Sequence, residues 1–490
     1  MTEEPLGIEF LSGAWDALRD GDVAGALRHV GEAYGHIGRW CDGGQRLPIG
    51  WPEADRVIAA AARLVRPASA GGAAKPELER SDAILISRWT NYGGHRFAAT
   101  DLLRASPARR KYAFVINPGS TLPSTEKIAG RLGIPEGNIE IAPEEIRGRP
   151  WEWLPSKIDA LGCSRLFIVH ETYRPGVLVA ALASSCAGLY ILHHIDSKPC
   201  SGLFLPGVRV IDWTPYCFHY SRRNLAIDPI YLPLVSEAPA GERPPFLANG
   251  ELRTATCGRE EKFDTARGFP YAGIVAERLC RFGGVHLHIG HLSDASLGRI
   301  ETELRRCHVD RARFEYLSRV PNLPSAIWTH GVDVYLASFP FGGARTIVDV
   351  MASATPMVVN ARGEHERQFS AGLRAPGTEA WSNPEQLWTI LDSVTPEWLA
   401  TRSRLARDHF EKNHSRRILA EALMPSDIRG VEPPRLDPDV VIPSPQNVIC
   451  QIIADVAWLR KSERDTRERL AALEQAVSRS VRWPPWLKRH

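Results

Sequence analysis

Two doubly wound αβ domains facing a cleft, with a small helical domain before them and a helix after them, are the architecture this sequence predicts. Three observations predict it. Five apolar runs, AILIS at 83–87, YAFVI at 112–116, RLFIV at 165–169, LYIL at 189–192 and VRVID at 208–212, alternate with longer helical or loop stretches, which is how parallel strands joined by crossover helices read. A second series follows: TATCG at 254–258, VHLHIG at 285–290, RFEYL at 313–317, VDVYLA at 332–337 and PMVVN at 356–360. Between the two, SEAPAGERPPF at 236–246 has the proline and glycine content of a hinge. Two such halves on one hinge imply a cleft, and in open αβ sheets ligands sit beyond the carboxyl ends of the strands.

Taken in order, residues 1–75 form the helical domain. Trp15 and Leu18, then Val23, Ala26, Leu27, Val30 and Tyr34, recur at helical spacing, and Gly21–Asp22 separates one helix from the next. The segment ALRDGDVAGALRHVGEAY resembles one tetratricopeptide-type hairpin. No second copy follows at a period of about 34, so a plain helical cap packed on the next domain is the preferred reading. RPASAGGAAKPE is a linker. The first αβ domain then spans 80–240 and the second 250–425. Residues 430–490 open with the proline-rich VEPPRLDPDVVIPSPQ and continue into a charged amphipathic helix from Val448 to Arg479. Its stripe of Ile452, Ile453, Val456, Leu459, Leu470, Leu473 and Val477 suits self-association or packing on its own domain. The basic aromatic end SVRWPPWLKRH suits either peripheral contact with a membrane surface or a frayed tail.

Composition excludes several classes. At 44% hydrophobic and 24% charged, the 490 residues are those of an ordinary globular protein. A formal charge of +3 gives no electrostatic argument for nucleic-acid binding. Nine cysteines, odd in number and without a CxxC pair, fit a reducing cytoplasm and argue against a zinc site. MTEEPLGIEF is acidic where a signal peptide would be basic and then apolar. The longest apolar run, Val177–Leu192, is interrupted by Ser184, Ser185 and Gly188, and reads as buried secondary structure.

Four loops place glycine, histidine or a cation directly after an apolar run. The unit DVYLASFPFGGARTIVDVMASATPMVV, from Asp333 to Val359, reads as strand, glycine turn, helix and strand. Its turn at Gly342 and Gly343 lets an anion approach the backbone, and the N–H groups and dipole of the helix opening at Thr346 favour a pyrophosphate. Asp349, one turn further in, is suited to accept hydrogen bonds from ribose hydroxyls. CGREEKFD carries Arg259 and Lys262; an ammonium at Lys262, converging with the turn from Gly342 to Thr346, would neutralise a diphosphate leaving group. Lys262 could equally belong to a solvated charge cluster with Glu260, Glu261 and Asp264. On the other half, SRWTNYGGHRFAATD presents His95 and Arg96 at a helix start, and LHHIDSKPCSG presents His193, His194, Asp196 and Ser201. A histidine in a loop is more often a surface or hydrogen-bonded residue than a base. HLHIGH at 286–291 looks like a metal cluster, but strand alternation puts His286 and His288 on one face and His291 beyond it, so no metal site is expected. The DPD at Asp437–Asp439 lies in the proline-rich linker and is not read as a metal motif.

The segment FPFGGARTIVDVMASATPMVVNARGEHERQFSAGL resembles the donor-site region of the cytoplasmic adhesin N-glucosyltransferases, which are similar to the O-linked N-acetylglucosamine transferases. The resemblance rests on FPFG at 339–342, TIVD at 346–349, the entry from Ala354 to Pro356 and GEHE at 363–366. It implies the two-domain GT-B glycosyltransferase fold. It also implies that Lys262 binds the nucleotide diphosphate and that Asp349 contacts the ribose. YGGHR at 92–96 is similar to the acceptor-side glycine loop of that fold. Ala344 and Arg345 stand where the O-linked enzymes have a histidine–threonine pair, so the phosphate contacts of this turn differ from theirs. The resemblance further implies transfer of a sugar from a nucleotide-sugar donor, expected to be UDP-linked, to a protein or glycan acceptor, inverting and metal-independent, with no resident cofactor. Donor binding is expected at Arg259, Lys262, Gly342, Gly343, Arg345, Thr346 and Asp349; acceptor activation falls to His95, His194 and Asp196. A nucleotide-sugar epimerase of the same fold and a non-catalytic component of a glycan-assembly complex are the competing readings.

Overall fold

The computed structural model describes residues 8–42, 50–66, 80–89, 94–117, 124–171, 173–193, 200–263, 269–340, 342–361, 372–436, 440 and 442. His194, Asp196, the GEHE segment, Asp437–Asp439 and the C-terminal helix expected from Val448 therefore lie outside the described residues. Everything below concerns the unit Glu9–Val441.

The chain opens with helices α1 (Ile8–Arg19), α2 (Val23–Asp42) and α3 (Pro52–Val65). Gly21, at φ 77°, makes the break between the first two. These helices share a core with the next domain: Leu27, Tyr34, Val57 and Ile58 are buried in the same cluster as Leu85, Phe114, Ile168 and Leu178. The helical region is thus a cap on one face of the first sheet.

That sheet contains β1 (Ser81–Arg88), β2 (Arg110–Asn117), β3 (Ile139–Ile141), β4 (Arg165–Val169), β5 (Gly188–His193), β6 (Val208–Asp212) and β7 (Ile230–Tyr231). Their order is β3-β2-β1-β4-β5-β6-β7, with every pairing parallel. Helices α4 (Gly94–Ala105), α5 (Thr125–Leu132), α6 (Leu154–Leu161), α7 (Gly176–Ala183) and α8 (Pro215–Asn224) run between strands. Covering both faces explains why β1 and β4 read as near-continuous apolar runs. Two short strands that escape the apolar-run reading, β3 and β7, sit at the sheet edges, where one-sided pairing needs less apolar surface.

The second sheet contains β8 (Arg253–Cys257), β9 (Val285–Ile289), β10 (Phe314–Leu317), β11 (Val334–Leu336), β12 (Met357–Asn360) and β13 (Glu379–Trp381), in the order β10-β9-β8-β11-β12-β13 and again parallel. Its helices are α9 (Tyr271–Phe282), α10 (Asp294–Arg306), α11 (Leu323–Thr329), α12 (Ala344–Ala352), α13 (Pro384–Asp392) and α14 (Pro396–Asn413). A last helix, α15 (Arg416–Leu423), returns to the first domain: Leu419, Ala422 and Leu423 are buried with Ala99, Leu102 and Leu103 of α4.

The chain thus crosses between domains twice, and the crossings are bonded to each other. Ser236 bridges to Ser415, its N–H donates to the His414 carbonyl at 3.2 Å, and His414 Nδ1 meets the Leu234 carbonyl at 2.8 Å.

Candidate functional site

The site is built where β11 ends and α12 begins. Gly343 is the N-cap of α12 in extended conformation, φ −146° and ψ 112°, and no side chain caps the helix. The first N–H groups of a helix lack intrahelical acceptors, which leaves this end a positive, donor-rich surface. Lys262 reaches the same place from the other side, its Nζ donating to the Gly342 carbonyl at 3.1 Å. A Cβ on Gly343 would stand 2.6 Å from that Nζ, so an added side chain would shift the ammonium from its place against the turn. Thr346 completes the cluster, its Oγ1 3.2 Å from the same Cβ position.

The position of Lys262 is set by its own turn, Glu260–Phe263. Glu260 does not belong to a loose charge cluster: it accepts from Ser293 N–H at 2.8 Å, Ser293 Oγ at 3.0 Å and Ser296 Oγ at 2.6 Å, which fastens the turn to the start of α10. The Ser296 and Ser293 hydrogen bonds pull its carboxyl down to about 2. Phe263 anchors the far side, its ring 4.2 Å from Tyr271 and 6.2 Å from Phe339. The Arg259 side chain, by contrast, is 73% exposed beside Glu261, and it is the Arg259 carbonyl that joins the site, accepting from the Lys262 N–H at 3.0 Å.

Arg345 and Asp349 sit in a different set of contacts from the diphosphate and ribose roles expected of them. Arg345 Nε donates to Asp349 Oδ1 at 3.0 Å, its Nη1 pairs with Asp101 of α4, and its guanidinium lies 5.0 Å from the Phe97 ring centre. Asp349 Oδ1 also accepts from Ser236 Oγ at 2.6 Å. Burial disfavours the Arg345 charge, but Asp349 and Asp101 outweigh it, and the guanidinium is held more firmly protonated than usual. The physical reason for the arrangement is that Asp101 is only 2% exposed and needs a cation. Arg345 therefore faces the first domain, while Ala344 packs on the core of its own domain.

On the first-domain wall, His95 is the second residue of α4. His193 and Ser201, expected in a loop after the LYIL run, belong to a row of buried polar side chains at or just beyond the strand ends, together with His170 and Asp212, which were not expected there. β4, β5 and β6 run straight into His170, His193 and Asp212, and His193 pairs in register with Asp212. His193 Nδ1 lies 2.7 Å from Asp212 Oδ1, both side chains fully buried, with no described group bonded to His193 Nε2 or Asp212 Oδ2. His170 Nε2 meets Ser201 Oγ at 2.9 Å. The turn carrying Ser201 is held by Asp55 of α3, which accepts from the Gly202 and Phe204 N–H groups at 2.7 and 2.9 Å. Burial pushes the Asp55 carboxyl up to about 7 despite those two bonds. The signal was available: RLFIV, LYIL and VRVI each end on His or Asp at the same step past the apolar run.

His286 and His288 form a hydrogen-bond chain. Thr254 Oγ1 meets His286 Nδ1 at 2.9 Å, Tyr271 Oη bridges His286 Nε2 at 3.1 Å and His288 Nδ1 at 2.7 Å, and His288 Nε2 reaches the Gly258 carbonyl at 3.2 Å. Among the described residues no group of three or more His, Cys, Asp or Glu is placed to hold a metal ion, and no helix is long and apolar enough to cross a membrane. A cavity of about 780 Å³ opens beside the end of β12, lined by Arg374, Asp408, Lys412 and Arg435, away from the Lys262 turn.

No protein-family model and no curated protein matches the chain. Solved structures do. A glycosyltransferase from Rickettsia africae is 13% identical with a TM-score of 0.53, over 70% of this chain and 97% of that one. Anabaena HepE in complex with UDP is 12% identical with a TM-score of 0.49, over 69% and 97%. An O-GlcNAc transferase from Thermobaculum terrenum is 13% identical with a TM-score of 0.44, over 82% and 92%. With its two parallel sheets, its doubled crossing and the return of α15 to the first domain, this chain has the GT-B glycosyltransferase fold.

Proposed function

We propose that the chain is a glycosyltransferase that moves a sugar from a UDP-linked donor to a protein or glycan acceptor, with inversion and without a metal ion. The observation that carries this reading is the Lys262 ammonium lying against the Gly342–Gly343 turn at the start of α12. An ammonium, a helix N-terminus and a turn without side chains together suit a diphosphate, and they stabilise it most when charge builds on it as the anomeric C–O bond breaks. A single lysine and a helix end supply the charge that other sites take from a cation. Thr346 adds a hydroxyl at the same turn. Asp349 Oδ2, which no described residue engages, is the oxygen left for a ribose hydroxyl. Acceptor activation is assigned to the first-domain wall, with His95, His194 and Asp196 as its candidate groups.

The test is incubation with a panel of UDP- and GDP-sugars, alone and with cell extract, followed by mass spectrometry of proteins and glycans. Transfer to an acceptor only when extract is present supports the reading. Isomerisation of the sugar nucleotide alone would point to an epimerase, and binding without consumption to a non-catalytic component.

A further inference from the structure

The contacts of Arg345 point away from phosphate. Its Nε and Nη1 are both committed, one to Asp349 on its own helix and one to Asp101 on α4 of the opposite domain. Asp101 is 2% exposed, and Arg416, on the returning helix α15, adds a second positive charge near it. Phe97, one turn before Asp101, lies against the same guanidinium. At the other end of the network, Asp349 takes the hydroxyl of Ser236, the residue at which the two interdomain crossings are bonded together. Three elements that belong to different parts of the molecule, α4, the first turns of α12 and the crossing at Ser236, therefore meet in one chain of charge-assisted hydrogen bonds.

We infer that Asp101 and Arg345 are positioning residues which tie the donor-side helix α12 to the first domain and so set how the sugar's anomeric carbon faces the acceptor. The inference rests on the glycosyltransferase reading for its consequence in turnover, though the tie itself is a property of the fold. Two carboxylates take the Nε–H and one Nη1–H of the guanidinium and offset its charge, which weakens its pull on a diphosphate. Lys262 then binds the diphosphate, and Arg345 fixes the wall on which Lys262 and Gly343 act. Misplacement of that wall by an ångström costs the transfer step rather than donor affinity, because the donor contacts lie within the second domain.

The experiment is a double-mutant cycle on the full chain with Asp101→Asn and Arg345→Gln, reading UDP affinity by calorimetry and turnover of the UDP-sugar that the panel identifies. Each single variant is expected to lower kcat about 10-fold or more while UDP affinity stays within about 3-fold, and the double variant is expected to be no worse than the poorer single. Arg345→Lys, which keeps the charge but cannot fork to two carboxylates, should show the same split. A loss of UDP affinity of about 10-fold in Arg345→Gln without one in Asp101→Asn would make Arg345 a diphosphate ligand and overturn the inference. So would losses that multiply in the double variant. Hydrogen exchange needs no ligand and separates this idea from the functional one: in Asp101→Asn, protection should fall together in α4 and in the first turns of α12. If only α4 responds, the tie fails whatever the protein's activity; if both respond and no nucleotide sugar is bound by the wild type, the tie stands as a feature of the fold and its proposed role in turnover fails.

Discussion

Replacing Glu260 by alanine should weaken nucleotide binding indirectly, through the turn that carries Lys262. Its carboxylate accepts three hydrogen bonds from Ser293 and Ser296 at the start of α10, and Lys262 follows two residues later with its N–H bonded to the Arg259 carbonyl at 3.0 Å. The fall of its carboxyl from 4.5 to about 2 corresponds to about 3 kcal/mol before screening. The side chain is 37% exposed, so solvent reduces this to about 1–2 kcal/mol, the usual worth of a helix-capping group. Glu260→Ala is therefore expected to lower the melting temperature by about 3–6 °C, and to weaken UDP binding by about 5–30-fold if the loosened turn passes that energy to Lys262. The sign with pH follows: the folded pKa is depressed, so the contribution is complete above about 4.5 and disappears as pH falls through about 2. Thermal unfolding and calorimetry with UDP, each at pH 7, check it. A lower melting temperature with unchanged UDP affinity would show that the Lys262 turn does not depend on α10, and the reasoning would be wrong.

Other expectations concern the same core and its neighbours. Gly343→Ala should reduce UDP affinity about 10-fold with little loss of stability, because the new methyl, 2.6 Å from the Lys262 ammonium, would push that flexible side chain off the turn; unchanged affinity would remove the close approach from the account. Burial holds His288 down to about 4 and His414 down to about 3. Both stay neutral in the fold while unfolded histidines protonate below about 6.5, so stability should drop by about 2 kcal/mol per histidine between pH 7.5 and 5. Asp55, raised to about 7, acts in the opposite sense, its contribution being complete at low pH and lost as pH rises through neutrality. Denaturant titration of the wild type against His288→Gln isolates the histidine part, and identical pH slopes would contradict it. Asp55→Asn should cost about 1–3 kcal/mol at pH 6, since an amide can accept from only one of the Gly202 and Phe204 N–H groups; a neutral result in the same denaturant experiment would mean the turn does not need both bonds.

Much of the fold was legible because parallel strands buried on both faces spell themselves out: each of the ten apolar runs, from AILIS to PMVVN, falls on a strand of one of the two sheets. β3, β7 and β13 were not legible, being two or three residues long at sheet edges with little apolar signature. The return of α15 could not be read either, since Leu419 and Leu423 look the same whichever core they enter. At the site, Lys262 and the two glycines were visible as a pattern, and their convergence depended on a fold the pattern had already implied. The pairing of Arg345 with Asp101 had no sequence signal, because 244 residues separate them and only the closing of two domains brings a buried carboxylate to that guanidinium. His193 was visible in LHHIDSKPCSG, but its pairing with Asp212 was not, because Asp212 closes an apolar run on the neighbouring strand and only the sheet register brings the two together.

The claim that α12 and Lys262 form a donor pocket is tested most directly by calorimetric titration of UDP and UDP-sugars into the wild type and Lys262→Ala. The account predicts that the wild type binds and that the variant, folded to the same melting temperature within about 2 °C, loses about 30-fold or more in affinity, the worth of one charge-assisted contact to a diphosphate. Equal binding by the two proteins, or no binding by the wild type, would contradict it.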